Sequence, residues 1–240
     1  MKSPCRECGY VEEDYATTAD RRWLQAAARD RVSRCFEGLS DEALSAFPEQ
    51  DTMRDEIDKH VVSGDIHRIV HELSELSRAT ARLDPPTVRA GRVVQISSSD
   101  GGVPKRAVER AEVHRRGLVG DRQESLRHHG HAWQALCLWS AERIEALRGE
   151  GHPVSYGSAG ENLTLGGLEW DEMRSGLHLR IGSVVCELTG PTTPCNKNAE
   201  SFSRRHYRRM DHDRHPGWSR WYASVLEEGA VSKDDPVTIL

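Results

Sequence analysis

Only three of the chain's 20 glycines, Gly9, Gly38 and Gly64, lie before Pro86. Glycine is the residue that turns and close backbone approaches demand, and it weakens helix interiors. The first 85 residues are therefore composed for helices, and residues 86–240 for short strands joined by tight turns. The break is Asp84-Pro85-Pro86, where two consecutive prolines stop a helical pattern. Charge divides at the same place, with a net of −6 before Pro86 and +1 from it onward. The expected organisation is a helical module, 1–85, followed by a β-rich domain, 86–240.

The remaining composition mainly excludes. With 240 residues, 37% hydrophobic and 30% charged, the chain has enough apolar side chains for a core and is not a disordered polymer. No run approaches the roughly 18 apolar residues of a membrane span. The opening MKSPCRECGYVEED lacks the apolar stretch of an export signal. The expectation is a cytoplasmic protein with no membrane association. The overall charge of −5 argues against nucleic acid as a partner. Six cysteines without an export signal point to reduced or metal-bound thiols.

In the first module Arg21–Gly38 is rich in Ala, Arg and Leu, and Ser40-Asp41-Glu42 has the form of a helix start. Val62, Ile66, Ile69, Leu73 and Leu76 alternate spacings of four and three, which predicts one amphipathic helix from Val62 onward. Cys5-x-x-Cys8 is half of a zinc site with no second pair of comparable spacing, so zinc there and two plain thiols both remain open. His60, His67 and His71 share a helical face that suits either a metal or solvent.

In the second module 92–96, 106–113, 177–181, 184–188 and 237–240 read as strands. Ser140–Arg148 reads as a helix, and a further helix is expected within Ala199–Met210. Many short strands with glycine turns and few helices predict a closed or nearly closed β-barrel. The fold class is α+β: a β-barrel-like domain preceded by a small all-helical module.

Six segments carry the chemistry: SSSDGGVPK (97–105), GLVGDRQ (117–123), HHGHAWQALCLW (128–139), GENLTLGGL (160–168), LRIGSVVCEL (179–188) and PTTPCNK (191–197). Cys195 stands out, because two prolines fix its upstream backbone while Lys197 and an Arg-rich segment downstream favour a thiolate. Lys105 follows a Gly-Gly-x-Pro turn and is suited to an anionic phosphate. Glu161 and Asn162 form a polar turn, and Asp121 either braces the barrel or orients Arg122. Thr189, Thr192 and Thr193 are donors near Cys195. Cys137 and Cys186, each within an apolar run, read as core. Between Arg204 and Arg220 lie six arginines and three histidines, expected to place one or two arginines at a pocket and the rest in solvent.

The order of these segments resembles the MOSC domain, named for the C-terminal domain of molybdenum cofactor sulfurase, and the tail 217–240 resembles the end of its small stand-alone bacterial members. The resemblance implies a β-barrel-like fold and a molybdenum cofactor (molybdopterin), with the Cys195 thiolate as metal ligand and catalytic residue. Lys105, Asp121, Arg122, His129, Glu161, Asn162 and Thr189 would surround the cofactor. His131 stands where the family usually has a second glycine, which alters the turn that carries His129. The implied reaction is two-electron reduction of an N-hydroxylated small molecule, fed by an external electron-transfer partner, since the chain has no flavin, nicotinamide or iron–sulfur fingerprint. The alternative is a sulfur carrier or adaptor that holds a persulfide on Cys195. A third reading is a regulatory module with an inactive barrel. The opening CRECGY and its helical context resemble, over a short stretch, DinB-like helical bundles, and no activity is transferred from that likeness.

Overall fold

A computed structural model describes residues 5, 18–37, 39–123 and 131–240. Contacts divide the chain into two compact units. One runs to Pro85 and takes in Arg174–Leu177; the other holds Pro86–Met173 and His178–Leu240.

The first unit consists of α1 (Thr18–Phe36), α2 (Asp41–Ser45), α3 (Gln50–Ser63) and α4 (Ile66–Leu83). The core of the unit is one face of α4, where Ile66, Ile69, Leu73 and Leu76 are buried against Leu24, Ala28 and Val32 of α1 and Ile57 and Val61 of α3. Each such side chain contributes about 1.5–3 kcal/mol by leaving water. The predicted stripe is right from Ile66 on and wrong at Val62, which is 80% exposed. Gly64 ends α3 in the left-handed conformation (φ 75°), and Asp65 caps α4 by accepting from the Arg68 amide at 3.1 Å. One helix therefore becomes two, and the phase of the stripe resets between them. Ser40 caps α2 as expected, accepting from Ala43 at 3.2 Å.

The second unit is a barrel. Its strands are β1 (Ala90–Ser98), β2 (Arg106–Val108), β3 (Arg110–His114), β4 (Gly117–Leu118), β5 (Leu136–Ser140), β6 (Leu163–Gly166), β7 (His178–Ile181), β8 (Val184–Pro191), β9 (Trp221–Glu227), β10 (Gly229–Ser232) and β11 (Pro236–Ile239). The order β11-β7-β8-β9-β5-β6-β1 closes on itself because β11 also pairs with β1, through Ala90↔Thr238 and Arg92↔Pro236. β2 extends β1, while β10, β3 and β4 form a separate small sheet. Only β5–β6 among the barrel pairs is parallel. Its crossover contains α5 (Ala141–Gly149), capped by Ser140, which accepts from the Arg143 amide at 3.2 Å. The barrel interior holds Val93, Ile96, Leu138, Leu163, Leu179, Val184 and Ala223, all essentially dry.

The expected helix within Ala199–Met210 is replaced by short 3₁₀ turns at Asn196–Ser201, Ser203–Arg205 and Tyr207–Met210. Arg204 and Arg205 break any continuous helix, since both adopt left-handed backbone (φ 54° and 58°). No described helix is long and apolar enough to cross a membrane.

Candidate functional site

An open cavity of about 710 Å³ lies in the barrel unit where four loops and two strands meet. Gly102, Val103 and Lys105 come from the β1–β2 loop, and Arg122 from the segment after β4. Ala159, Gly160 and Asn162 come from the turn before β6, and Thr193, Cys195 and Asn198 from the segment after β8. Cys137 of β5 and Tyr222 of β9, partners in register, form the strand wall, with Arg220 immediately before β9.

One wall is electrically closed. The Lys105 ammonium and the Asp121 carboxylate are 2.5 Å apart, with side chains only 10% and 5% exposed. Asp121 Oδ2 also accepts from Asn162 Nδ2 at 2.9 Å, and Oδ1 from the Ser99 amide at 2.8 Å. Asn162 Oδ1 accepts from the Cys137 amide at 3.1 Å and so ties the bracket to β5. The Gly157 turn sits beside it. The Lys105 amide donates to Gly157 O at 2.9 Å, and the Gly157 amide donates to Glu161 Oε1 at 2.5 Å. Gly157 is required, since its φ is 82° and a Cβ would stand 2.7 Å from Lys105 O. Glu161 is fully buried, its Oε2 has no hydrogen-bond partner, and burial raises its pKa.

The other wall carries Cys195, which is exposed and begins the 3₁₀ turn 196–201. Its amide donates to Asn198 Oδ1 at 3.2 Å, and its carbonyl accepts from the Asn198 amide at 3.0 Å. Asn198 is buried and donates through Nδ2 to Ala159 O at 2.9 Å, which fixes the cysteine segment to the 159–162 turn. Arg220, 8% exposed, donates to the same Ala159 carbonyl and, at 3.4 Å, to Asn198 Oδ1. No described carboxylate forms an ion pair with Arg220, and its Nε has no partner. Cys137 is neutral, its thiol pushed up to about 11 by burial. Burial also raises the Tyr222 hydroxyl well above the ordinary tyrosine value.

Of the residues singled out in the sequence, Lys105, Arg122, Asn162 and Cys195 line the cavity together with Thr193. Asp121 acts behind the lining through Lys105 and Asn162. Glu161 and Thr189 do not line it: Glu161 serves the Gly157 turn, and Thr189 donates to Trp133 O at 2.6 Å. Thr192 is buried with its hydroxyl 3.4 Å from that of Ser219. His129 and Cys8 lie outside the described residues, and Cys5 is half-exposed. Among the described residues no group of three or more His, Cys, Asp or Glu side chains is arranged to hold a metal ion. Asn198 and Tyr222 were not selected as site residues from sequence, whereas Arg220 is the member of the Arg204–Arg220 cluster that reaches the cavity, as expected of one or two of its arginines. The available signal was the apolar alternation of Trp221, Ala223 and Val225, which marks a strand and puts Arg220 and Tyr222 at its start.

Residues 125–238 match the MOSC domain family. Over those residues the barrel unit is similar to a MOSC domain. The uncharacterized protein YflK of Bacillus subtilis (strain 168) is 32% identical over 136 residues, a stretch covering 55% of this chain and 59% of YflK. The YuaD protein of Bacillus subtilis has a crystal structure that superposes with a TM-score of 0.53 at 13% identity, covering 62% of this chain and 94% of that one. YiiM of Geobacillus stearothermophilus gives a TM-score of 0.50 at 23% identity, over 62% and 75% of the respective chains. Both structures share the fold of this chain over the covered residues. The helical module lies outside the residues matched to the family.

Proposed function

We propose that the cavity binds an anionic molybdenum cofactor with the Cys195 thiolate as a metal ligand, and that the protein reduces N-hydroxylated small molecules. The observation that carries this reading is the pairing of an exposed thiol with a buried, ion-pair-free arginine on one cavity wall. A thiolate is a soft ligand of the kind molybdenum accepts. A buried guanidinium without a carboxylate is stabilised by a bound anion, such as a pterin phosphate. The residues present therefore fit the group. Lys105, expected to hold the phosphate, is committed to Asp121, and Arg220 takes that role.

When bound, the cofactor supplies the two-electron redox chemistry, with electrons from an external donor. The chain's part is binding and proton control. Asn198 holds the Cys195 backbone, Arg220 holds the anion, and Asn162 and Thr193 present polar groups to the cavity. Tyr222 keeps its phenolic proton and is a neutral donor at the strand wall.

The exposure of Cys195 also supports a second reading, a carrier that holds a persulfide on this thiol. Metal analysis of protein purified from a host that makes molybdenum cofactor separates the two. Molybdenum retained by the wild type and lost from Cys195→Ser is the expected result. Metal-free wild type carrying an extra sulfur on Cys195 by mass spectrometry replaces the first reading with the second.

A further inference from the structure

We propose that Asn198 is a positioning residue that couples Cys195 to the anion held by Arg220. The proposal rests on the reading of Arg220 as an anion holder and adds how the occupant of that position acts on the cysteine.

Cys195 and Asn198 form a reciprocal cap at the start of the 3₁₀ turn 196–201. The Asn198 amide donates to the Cys195 carbonyl at 3.0 Å and also to the Cys195 sulfur. The Cys195 amide donates back to Asn198 Oδ1 at 3.2 Å. Such boxes ordinarily pair Ser or Thr with Glu or Gln three residues on. Here a cysteine takes the first place and an asparagine the second, so the cap orients a sulfur. A second tie holds the turn from its far end, where the Ser201 hydroxyl donates to Ser158 O at 3.1 Å.

Asn198 Oδ1 is also the atom that Arg220 reaches, with Nη2 at 3.4 Å. A carbonyl oxygen has two lone pairs and can serve both donors, but both distances lie at or beyond the upper end of the usual range. Asn198 Nδ2 donates to Ala159 O, and Arg220 Nη1 donates to the same carbonyl. Arg220 therefore touches both members of the Asn198–Ala159 pair, which are only 2% and 1% exposed. Water cannot replace a bond lost there. The backbone of Arg220 is fixed, since its carbonyl accepts from the Thr192 amide at 2.8 Å. The guanidinium is the part that responds to a ligand. An anion competes with Oδ1 for Nη2 and leaves that oxygen to the Cys195 amide alone. The bond between Asn198 and Cys195 then tightens, so the cysteine is held most firmly when the anion is in place. Coupling of this kind is reciprocal, and the state of Cys195 feeds back on anion affinity.

The test is residue-resolved amide hydrogen exchange with and without sulfate at about ten times its Kd. In the wild type sulfate should slow exchange at the Cys195 amide about threefold. The Lys105 amide, which donates to Gly157 O on the other wall, should not change. Arg220→Met should abolish the response. Asn198→Asp keeps an acceptor for the Cys195 amide and hands Arg220 a carboxylate. Its Cys195 amide should be protected without sulfate, and its sulfate affinity should fall about tenfold. A purely structural Asn198 would instead leave sulfate affinity unchanged in Asn198→Asp, and that result overturns the coupling. Sulfate that stabilises the wild type but leaves the Cys195 amide unchanged, or slows the Lys105 amide equally, also overturns it while sparing the anion reading. Sulfate that does not stabilise the wild type removes the anion reading and the coupling with it.

Discussion

The two walls of the cavity solve the same problem in opposite ways. On one, Lys105 is buried beside Asp121, whose two oxygens also accept from Asn162 and Ser99. On the other, Arg220 is buried with neutral acceptors only, the Ala159 carbonyl and the Asn198 amide oxygen. A buried cation with its counter-ion in place belongs to the architecture. A buried cation whose counter-ion must come from outside belongs to the ligand. Type and position did not distinguish the two in sequence, because Lys105 and Arg220 are both cations immediately before a strand.

The sharpest way to break the contrast is to remove Asp121. Asp121→Ala leaves a buried ammonium, the Asn162 amide and the Ser99 amide short of an acceptor. A loss of about 3–5 kcal/mol is expected in urea unfolding. A loss under 1 kcal/mol would show that this wall is not self-sufficient. Gly157→Ala tests the turn behind the same wall. Its positive φ and the approach of Lys105 O predict a loss of about 2 kcal/mol by the same measurement.

Arg220→Met should behave differently. Ala159 O keeps its bond from Asn198 Nδ2, and Asn198 Oδ1 keeps the Cys195 amide, so no acceptor is emptied. Stability should change by no more than about 1 kcal/mol. The variant should instead lose its response to anions. Sulfate at about ten times its Kd should stabilise the wild type by about 1.4 kcal/mol in thermal unfolding and Arg220→Met not at all. Equal stabilisation of both proteins removes the argument for Arg220 as the anion holder.

The smallest effect is expected at Glu161. Burial raises its folded pKa, so its contribution to stability is fully present below the ordinary value of 4.5 and declines as pH rises through the folded value. Glu161→Gln, close in shape to the protonated acid, should match the wild type below pH 4.5 and exceed it at neutral pH. A wild type that is the more stable of the two at neutral pH would mean that the orphan Oε2 has a charged role in the native state.

The parts legible in sequence are those with local causes. The glycine imbalance and strand alternation announced the barrel, the Ser140 cap announced α5, and the Pro-x-x-Pro-Cys segment announced a cavity thiol. What was illegible depends on distant chain. Val62 carries the right spacing but falls just before a glycine that resets the helix, and the 196–210 segment has helix-like composition but contains two left-handed arginines. The availability of Lys105 was hidden because its partner is 16 residues away across a loop. Arg220 was one of six arginines expected to supply a pocket, but which of the six it would be was hidden, since what sets it apart is a missing carboxylate partner that no spacing encodes.

The pairing of β11 with β1 has a consequence for how the barrel is made. The ring joins residues 90–92 to 236–238, so nearly the whole domain must be synthesised before it can close. Until then β1 and β7 present unpaired edges, which are templates for association with other chains. Contacts of such long sequence separation also form slowly. The barrel should therefore be most vulnerable to aggregation during synthesis rather than after it, and truncation before Pro236 should reduce soluble yield far more than the loss of five residues would suggest.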